Sequence, residues 1–412
     1  MKKGYRLSNL KNTLKALGPG LLFAGAAIGV SHIVQSTKAG ALYGMGLLWA
    51  IVLATVCKYP FFQFGTRYAL ATKTNLLQGY YHLHKGVLWI FFGLSFATMF
   101  TIQTAVTIVT AGLATTLFGM TTDIRIWSVI ITGVCMLIVG FGKYTFLDRI
   151  MKIIIIILSV STLVTLGMAY PTAPELSLQQ YWPTSPAGMV FLIALMGWMP
   201  APLDLSVWQS LWTLEKQEST PSFSSKQAIL DFNIGYGGTL VLGIGFVLLG
   251  SFVFYGSGEE LSSSGVRYAQ QLIGMYTKTL GSWAYLGIAA AAFTCMFSTT
   301  ITTLDASPRT MAAAARILFP GSWFVHYWFW LLILTSGTGI ILFFFISEMQ
   351  TLVQIATVVS FLTAPFYAIV NYILVRTADF PKQWKPTGLM DAWSIVGILF
   401  LITFSIWYLS QL

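Results

Sequence analysis

Residues 18–41 read GPGLLFAGAAIGVSHIVQSTKAGA. Two apolar arms, Leu21–Ile28 and Ile33–Thr37, flank Gly29-Val30-Ser31-His32. Each arm can be half of a membrane helix. The middle cannot be lipid-facing helix, because it sets a glycine, a serine and a histidine close together. Irregular backbone at membrane depth survives only where protein buries it or where it lines a wet cavity. A helix broken at mid-membrane is therefore a pointer to a transport site.

The composition supports the membrane reading. Of 412 residues, 56% are hydrophobic and 9% charged, where a soluble domain carries about 25% charged residues. Mean hydropathy is +0.75. Cys57, Cys135 and Cys295 lie inside apolar runs, so no disulfide framework is implied. The basic stretch Met1–Lys15 precedes an apolar run as in a signal peptide. Further apolar runs along the whole chain favour an uncleaved first span.

At about 20 apolar residues per span, eleven transmembrane helices are expected, at 18–41 (broken), 44–67, 87–118, 125–142, 149–170, 187–213, 229–256, 283–312, 327–346, 349–375 and 390–411. Residues 257–282 are too polar to span and are expected to form a surface segment with one amphipathic helix. With the N-terminus cytoplasmic, 19 of the 23 Lys and Arg residues fall inside and only Lys38, Arg125, Lys278 and Arg267 outside. The net charge of +10 thus describes membrane topology rather than nucleic-acid binding. The expected location is the plasma (inner) membrane of a bacterium, with an external C-terminus.

The sixth span, FLIALMGWMPAPLDLSVWQSLW, carries Pro200 and Pro202 in its middle. Two prolines remove two backbone donors and clash with the preceding turn, so this helix breaks as well. The first span starts inside and the sixth outside. Two broken helices of opposite direction, five spans apart, mark an inverted five-plus-five repeat. The expected layout is a basic tail (1–17), repeat one (18–170), an external loop (171–186), repeat two (187–375), and a loop with an eleventh helix (376–412). The fold class is all-α.

A midplane site would draw on Gly29, Ser31 and His32 from the first break, and Met199 and Asp204 from the sixth span. Breaks expose carbonyls at one half-helix end and amides at the next start. His32 is either a ligand or gate, or an imidazole bonded to a free carbonyl of the break. Met199 is either a thioether ligand or packing. Asp204 is either a site acid or the N-terminal cap of the inner half-helix. Asp305 and Arg309, four apart beside Pro308 at the inner end of the eighth span, read as an ion pair or inner gate. Lys38 is expected to snorkel outward, and Lys58 to pair with Asp148 or Asp231 near the inner face. No CxxC pair, HExxH, Walker lysine or nucleophile elbow is present, and the four histidines are scattered. An enzyme is not expected, nor a cofactor. Without an ATP-binding module, transport would be secondary-active or passive.

Gly18-Pro19-Gly20, Ala39-Gly40-Ala41, Leu47-Leu48-Trp49, Ala71-Thr72-Lys73-Thr74-Asn75-Leu76, Met199-Pro200, Ser298-Thr299-Thr300-Ile301-Thr302 and Pro365-Phe366 together resemble the Nramp (natural resistance-associated macrophage protein) family. The resemblance runs through most of the chain and implies eleven helices in a LeuT-type fold that carries divalent metals. The family's metal-binding motifs are altered here. Its first-helix Asp-Pro-Gly-Asn reads Gly29-Val30-Ser31-His32, and its sixth-helix Met-Pro-His-Asn reads Met199-Pro200-Ala201-Pro202. A second family histidine aligns with Ser206, and its acidic pair on helix three with Gln103 and Val106. His32, Met199 and carbonyls form a soft set, ill suited to a hard ion such as Mg²⁺.

Three functions follow as expectations. The first is a metal-cation transporter alternating access about the two breaks. The second is a carrier of a small organic solute such as an amino acid, since Gly29 in place of a carboxylate makes the site larger and less negative. The third is a non-transporting sensor on the same scaffold. Expected partners are the lipid bilayer and the substrate, with no nucleic acid; oligomeric state is not encoded legibly.

Overall fold

The computed structural model describes residues 18–141, 144–170, 179–220, 223–259, 261–262, 264–345 and 349–411. Among them no strand occurs, and the protein is all-α. Fifteen helices follow in order: α1 (Pro19–Ala27), α2 (Ser31–Tyr43), α3 (Leu48–Thr72), α4 (Leu76–Leu83), α5 (Lys85–Phe118), α6 (Ile124–Phe141), α7 (Tyr144–Ala169), α8 (Pro186–Gly197), α9 (Leu205–Ser219), α10 (Ser225–Phe254), α11 (Gly265–Leu280), α12 (Tyr285–Leu318), α13 (Tyr327–Phe345), α14 (Met349–Leu374) and α15 (Gly388–Leu409). Seven of them (α3, α5, α10, α12, α13, α14 and α15) are each long and apolar enough to cross a membrane. Helices α1 and α2 form one further span, bent by 48° at its break. Helices α6 and α7 and the broken pair α8–α9 occupy the places of the fourth, fifth and sixth spans.

Three details differ from the sequence expectation. Helix α4 was not foreseen: Asn75 caps it by accepting from the Gln78 amide at 3.2 Å, a local signal embedded in a polar loop. Helix α12 runs through Pro308 to Leu318, because the Ala-rich segment after the proline favours helix. The second span begins and ends later than expected, at Leu48–Thr72. The amphipathic helix foreseen within 257–282 is α11. The tail 1–17, Lys143 and residues 171–178 lie outside the described residues, as do the side chains of Asp148, Arg149 and Lys152.

The outward faces are apolar. Ile156, Ile157, Val160, Leu163 and Val164 of α7, and Ile395, Val396, Leu399 and Ile406 of α15, are all exposed. Contiguous apolar surface on this scale belongs against lipid, not water, and the chain is an integral membrane protein.

Helix α10 holds both halves of the first span. Without hydrophobic drive in lipid, helices pack through small residues that let backbones approach. A Cβ at Gly20 would strike the Asp231 backbone, and one at Gly235 would strike Gly20. On the other half, a Cβ at Gly40 would strike Val247, and one at Gly250 would strike Thr37. Asp231 adds a charged contact at the start of α1, accepting from the Gly18 and Gly20 amides at 3.0 and 2.7 Å. A carboxylate suits the free N–H groups and positive end of a helix start.

Gly235→Ala is expected to cost about 1–3 kcal/mol by overpacking, read as a lower melting temperature in detergent. Gly237→Ala, with open space at its Cβ, should instead gain up to about 1 kcal/mol of helix propensity.

Candidate functional site

At the first break, the amides that would serve two carbonyls turn elsewhere. Gly29 N–H donates to Ala27, and His32 N–H to Gly29, so the Gly25 and Ile28 carbonyls lose their helical partners. Helix α12 supplies replacements. Thr299 Oγ1 lies 3.0 Å from the Gly25 oxygen and 3.2 Å from that of Ile28, and Cys295 Sγ lies 3.1 Å from Ile28. Beyond the break, α2 starts with a π-helical turn, Ser31–Ser36. Its loosened carbonyls are served by Ser36 Oγ, which donates to Ser31, and Tyr268 Oη of α11, which donates to Ile33 at 2.7 Å.

The candidate residues of this break are held internally. Ser31 Oγ contacts the Ala27 carbonyl at 2.8 Å and His32 Nδ1 at 2.7 Å. His32 is fully buried, and its Nε2 lies 2.9 Å from the Thr239 carbonyl of α10. A carbonyl only accepts, so Nε2 carries hydrogen and Nδ1 faces Ser31. The space beside Gly29 is not open. A Cβ there would lie 2.8 Å from the Thr299 methyl, which corrects the expectation that Gly29 enlarges the site.

The second break spans the residues between α8 and α9. Met199 is fully buried, and its sulfur lies 3.5 Å from where a Gly243 Cβ would stand. His32 and Met199 therefore pack on α10 one turn apart, at Thr239 and Gly243. The orphan carbonyls are taken by Lys58 of α3, whose Nζ donates to Met196 at 2.8 Å, Gly197 at 2.7 Å and Ala201 at 3.4 Å. This corrects the expected pairing of Lys58 with Asp231, whose carboxylate serves the start of α1 instead.

Asp204 is buried and precedes α9. Its carboxylate lies against the Asp204 and Leu205 backbone N–H groups, but it makes no side-chain capping bond. It lies in the field of Lys58, Tyr80 and Tyr367, with no direct ion pair to Lys58 among the described residues. A neutral network runs beside it, in which Tyr80 Oη donates to Asn371, and Asn371 Nδ2 to Ser206 Oγ at 2.9 Å. Gln103 on α5 accepts from Thr303 and lies near Thr107 and Thr300, a ladder of neutral groups. Among the described residues, no three His, Cys, Asp or Glu side chains come together.

A vestibule of about 250 Å³ opens between the half-helices α2 and α8, the start of α11 and α14. Val34, Gln35 and Ala194 lie at its break end, and Lys38 lines it, its Nζ 5.8 Å from the Phe191 ring. Lys38 thus faces the vestibule rather than simply snorkelling away. Among the described residues no carboxylate lines it. Past the second break, near the opposite end of α9, a polar cluster joins α9, α12 and α13. Arg309 of α12 grips Asp305 with a two-pronged contact (2.9 and 3.2 Å), and its other nitrogen lies 3.5 Å from Glu215 of α9. Tyr327 Oη of α13 donates to Asp305 at 3.1 Å. Glu215 and Arg309 are about a third exposed, so the pair contributes about 0–1 kcal/mol.

Sequence reasoning missed Thr299, Lys58 and Glu215 as working parts. Two signals were available: a polar run, Ser298–Thr303, inside an apolar helix, and a lysine in mid-span.

A family model described as Nramp, natural resistance-associated macrophage protein-like, matches residues 20–411. The uncharacterized protein PM0681 of Pasteurella multocida (strain Pm70) is 37% identical, over 99% of this chain and 96% of its own. Among solved structures, a single-residue mutant of the Eremococcus coleocola manganese transporter superposes with TM-score 0.73 at 16% identity, covering 98% of this chain and 87% of that one. Mhp1, a nucleobase-cation-symport-1 family transporter, gives 0.62 at 13% identity, over 96% and 93% of the two chains. MhsT in complex with L-phenylalanine gives 0.60 at 14%, over 94% and 98%. These likenesses share a LeuT-type helical fold.

Thr299→Val, which keeps the shape and removes the hydroxyl, should cost about 1–3 kcal/mol through the unserved carbonyls, while Thr299→Ser, which keeps the hydroxyl and loses only the methyl beside Gly29, should cost about 1 kcal/mol or less.

Proposed function

The chain belongs to the Nramp family, whose members are transporters and not enzymes, and on that premise we propose that it moves a divalent metal cation by alternating access about its two breaks. The observation that carries this reading is the placing of His32 and Met199, one from each break, on the same face of α10. On one side a vestibule opens between the outer half-helices α2 and α8, lined as far inward as Val34 and Ala194, and the Glu215–Arg309 pair closes the other side. The proposed ligands are His32, Met199 and Asp204, with Gly29 and Ser31 shaping the turn around them. His32 can offer only Nδ1, so a bound ion must displace Ser31 from it. This soft set favours Mn²⁺, Fe²⁺, Co²⁺ or Zn²⁺ over Mg²⁺. Asp305 and Arg309, with Glu215, serve as the inner gate.

The charge distribution supports a cytoplasmic N-terminus, an external C-terminus and a bacterial inner-membrane location, with 18–170 and 187–375 as the two repeats and 376–412 as the addition. In that orientation the vestibule faces outward.

One observation favours a second reading, a small organic solute bearing a carboxylate. Among the described residues the vestibule carries Lys38 and no acid, a lining that attracts anions and repels metal ions.

In proteoliposomes, at least one ion of a Mn²⁺, Fe²⁺, Co²⁺, Zn²⁺, Mg²⁺ panel should be taken up. His32→Ala or Met199→Ala should weaken its apparent affinity about tenfold, the effect of losing about 1.4 kcal/mol of binding. Silence across the panel would end the metal reading. Stabilisation by amino acids that is lost in Lys38→Ala would install the second. For the gate, Glu215→Gln should leave melting within about 1 kcal/mol yet speed maleimide labelling of a cysteine placed at Ser210; unchanged labelling removes the gating role.

A further inference from the structure

The second break contains a cation site that the chain fills by itself. Helix α8 ends at Gly197, so its last carbonyls have no helical partner and carry the negative end of the helix dipole. Ala201 contributes a third oxygen from the unwound segment. The three carbonyls converge on one point, and Lys58 Nζ occupies it at 2.7, 2.8 and 3.4 Å. An ammonium has three hydrogens to donate, and here three acceptors receive them. Lys58 is fully buried, and among the described residues no carboxylate forms an ion pair with it. Its countercharge is the carbonyl cage, with Asp204 adding attraction from farther away.

Convergent backbone oxygens without a carboxylate are how proteins coordinate weakly hydrated monovalent cations. An ordinary helix-ending lysine sits in the last turn of its own helix. Lys58 comes from α3 and joins the last carbonyls of α8 to one in the unwound segment of the break. Helix α3 also packs backbone-close on α9, since a Cβ at Gly65 would strike Ser206. The ammonium is thereby carried with the inner half of the sixth span.

We propose that Lys58 is a tethered cation, holding the carbonyl site that a dissolved Na⁺ or K⁺ would otherwise hold, so that the transport cycle runs without either ion. The flux part rests on the transporter reading above; the binding part does not. A substrate cation then binds beside this cage, at His32 and Met199, rather than within it.

The test is thermal unfolding of the purified protein in NaCl, KCl and choline chloride at one ionic strength. The parent should melt alike in all three. Lys58→Ala should melt lower in choline and regain stability in Na⁺ or K⁺, saturably, its folded-to-unfolded ratio rising about 100-fold when the ion is at about 100 times its Kd. A variant that folds only when Na⁺ or K⁺ is present gives the same support. A folded Lys58→Ala indifferent to both ions, a variant that folds in no salt, or a parent that itself responds would overturn the proposal. In proteoliposomes, parent uptake should be unchanged when choline replaces Na⁺ and K⁺ on both sides, and dependence on either would also overturn it. Because melting reads ion binding without flux, a silent metal panel leaves this result standing on its own.

Discussion

A carbonyl oxygen with no donor cannot be left in the middle of a membrane. Two spans of this protein are broken at that depth, and each break frees several such oxygens. The surrounding helices are arranged to meet the demand. Helix α12 brings a hydroxyl and a thiol to the first break, α3 brings an ammonium to the second, and α11 brings Tyr268 to the π-helical turn. The first break is served by neutral groups and the second by a cation, so the two breaks differ in charge.

The packing around the breaks divides into tight and loose contacts. The first span is gripped by α10 along both halves through glycines that admit no Cβ, and its start is pinned by Asp231. Such contacts are all-or-none, because close-packed backbones have no room to slide. The contact between α9 and α12 is of another kind, an ion pair about a third exposed that water screens. The proposed gate lies at the screened contact, while α1, α2 and α10 share the close-packed ones.

Much of this was legible beforehand. Gly29-Val30-Ser31-His32 and the Pro200–Pro202 pair announce breaks through local chemistry, and hydropathy counts the spans because a bilayer has one thickness. The two breaks were legible in the sequence, but not the groups that surround them. Gly29 looked like added room until Thr299, 270 positions later in the chain, turned out to fill it. Lys58 looked like a partner for an acid, since a buried cation ordinarily needs one. The carbonyls that serve instead belong to no residue type, and every residue of the sequence carries one.

The sequence by itself determined an all-helical membrane protein, its two broken spans and their opposite directions, because propensity, hydropathy and proline sterics act over neighbouring residues. It also showed that the family's usual metal-binding acid and amides are absent. Only the tertiary structure decided which groups satisfy the broken backbone and where the two cations, Lys38 and Lys58, point. Those outcomes depend on which helices lie side by side, and that follows from glycine-sized gaps between segments more than 100 residues apart, such as Gly20 and Gly235. The opening stretch at residues 18–41 is thus a broken helix by its own chemistry, and its broken backbone is satisfied only by its neighbours.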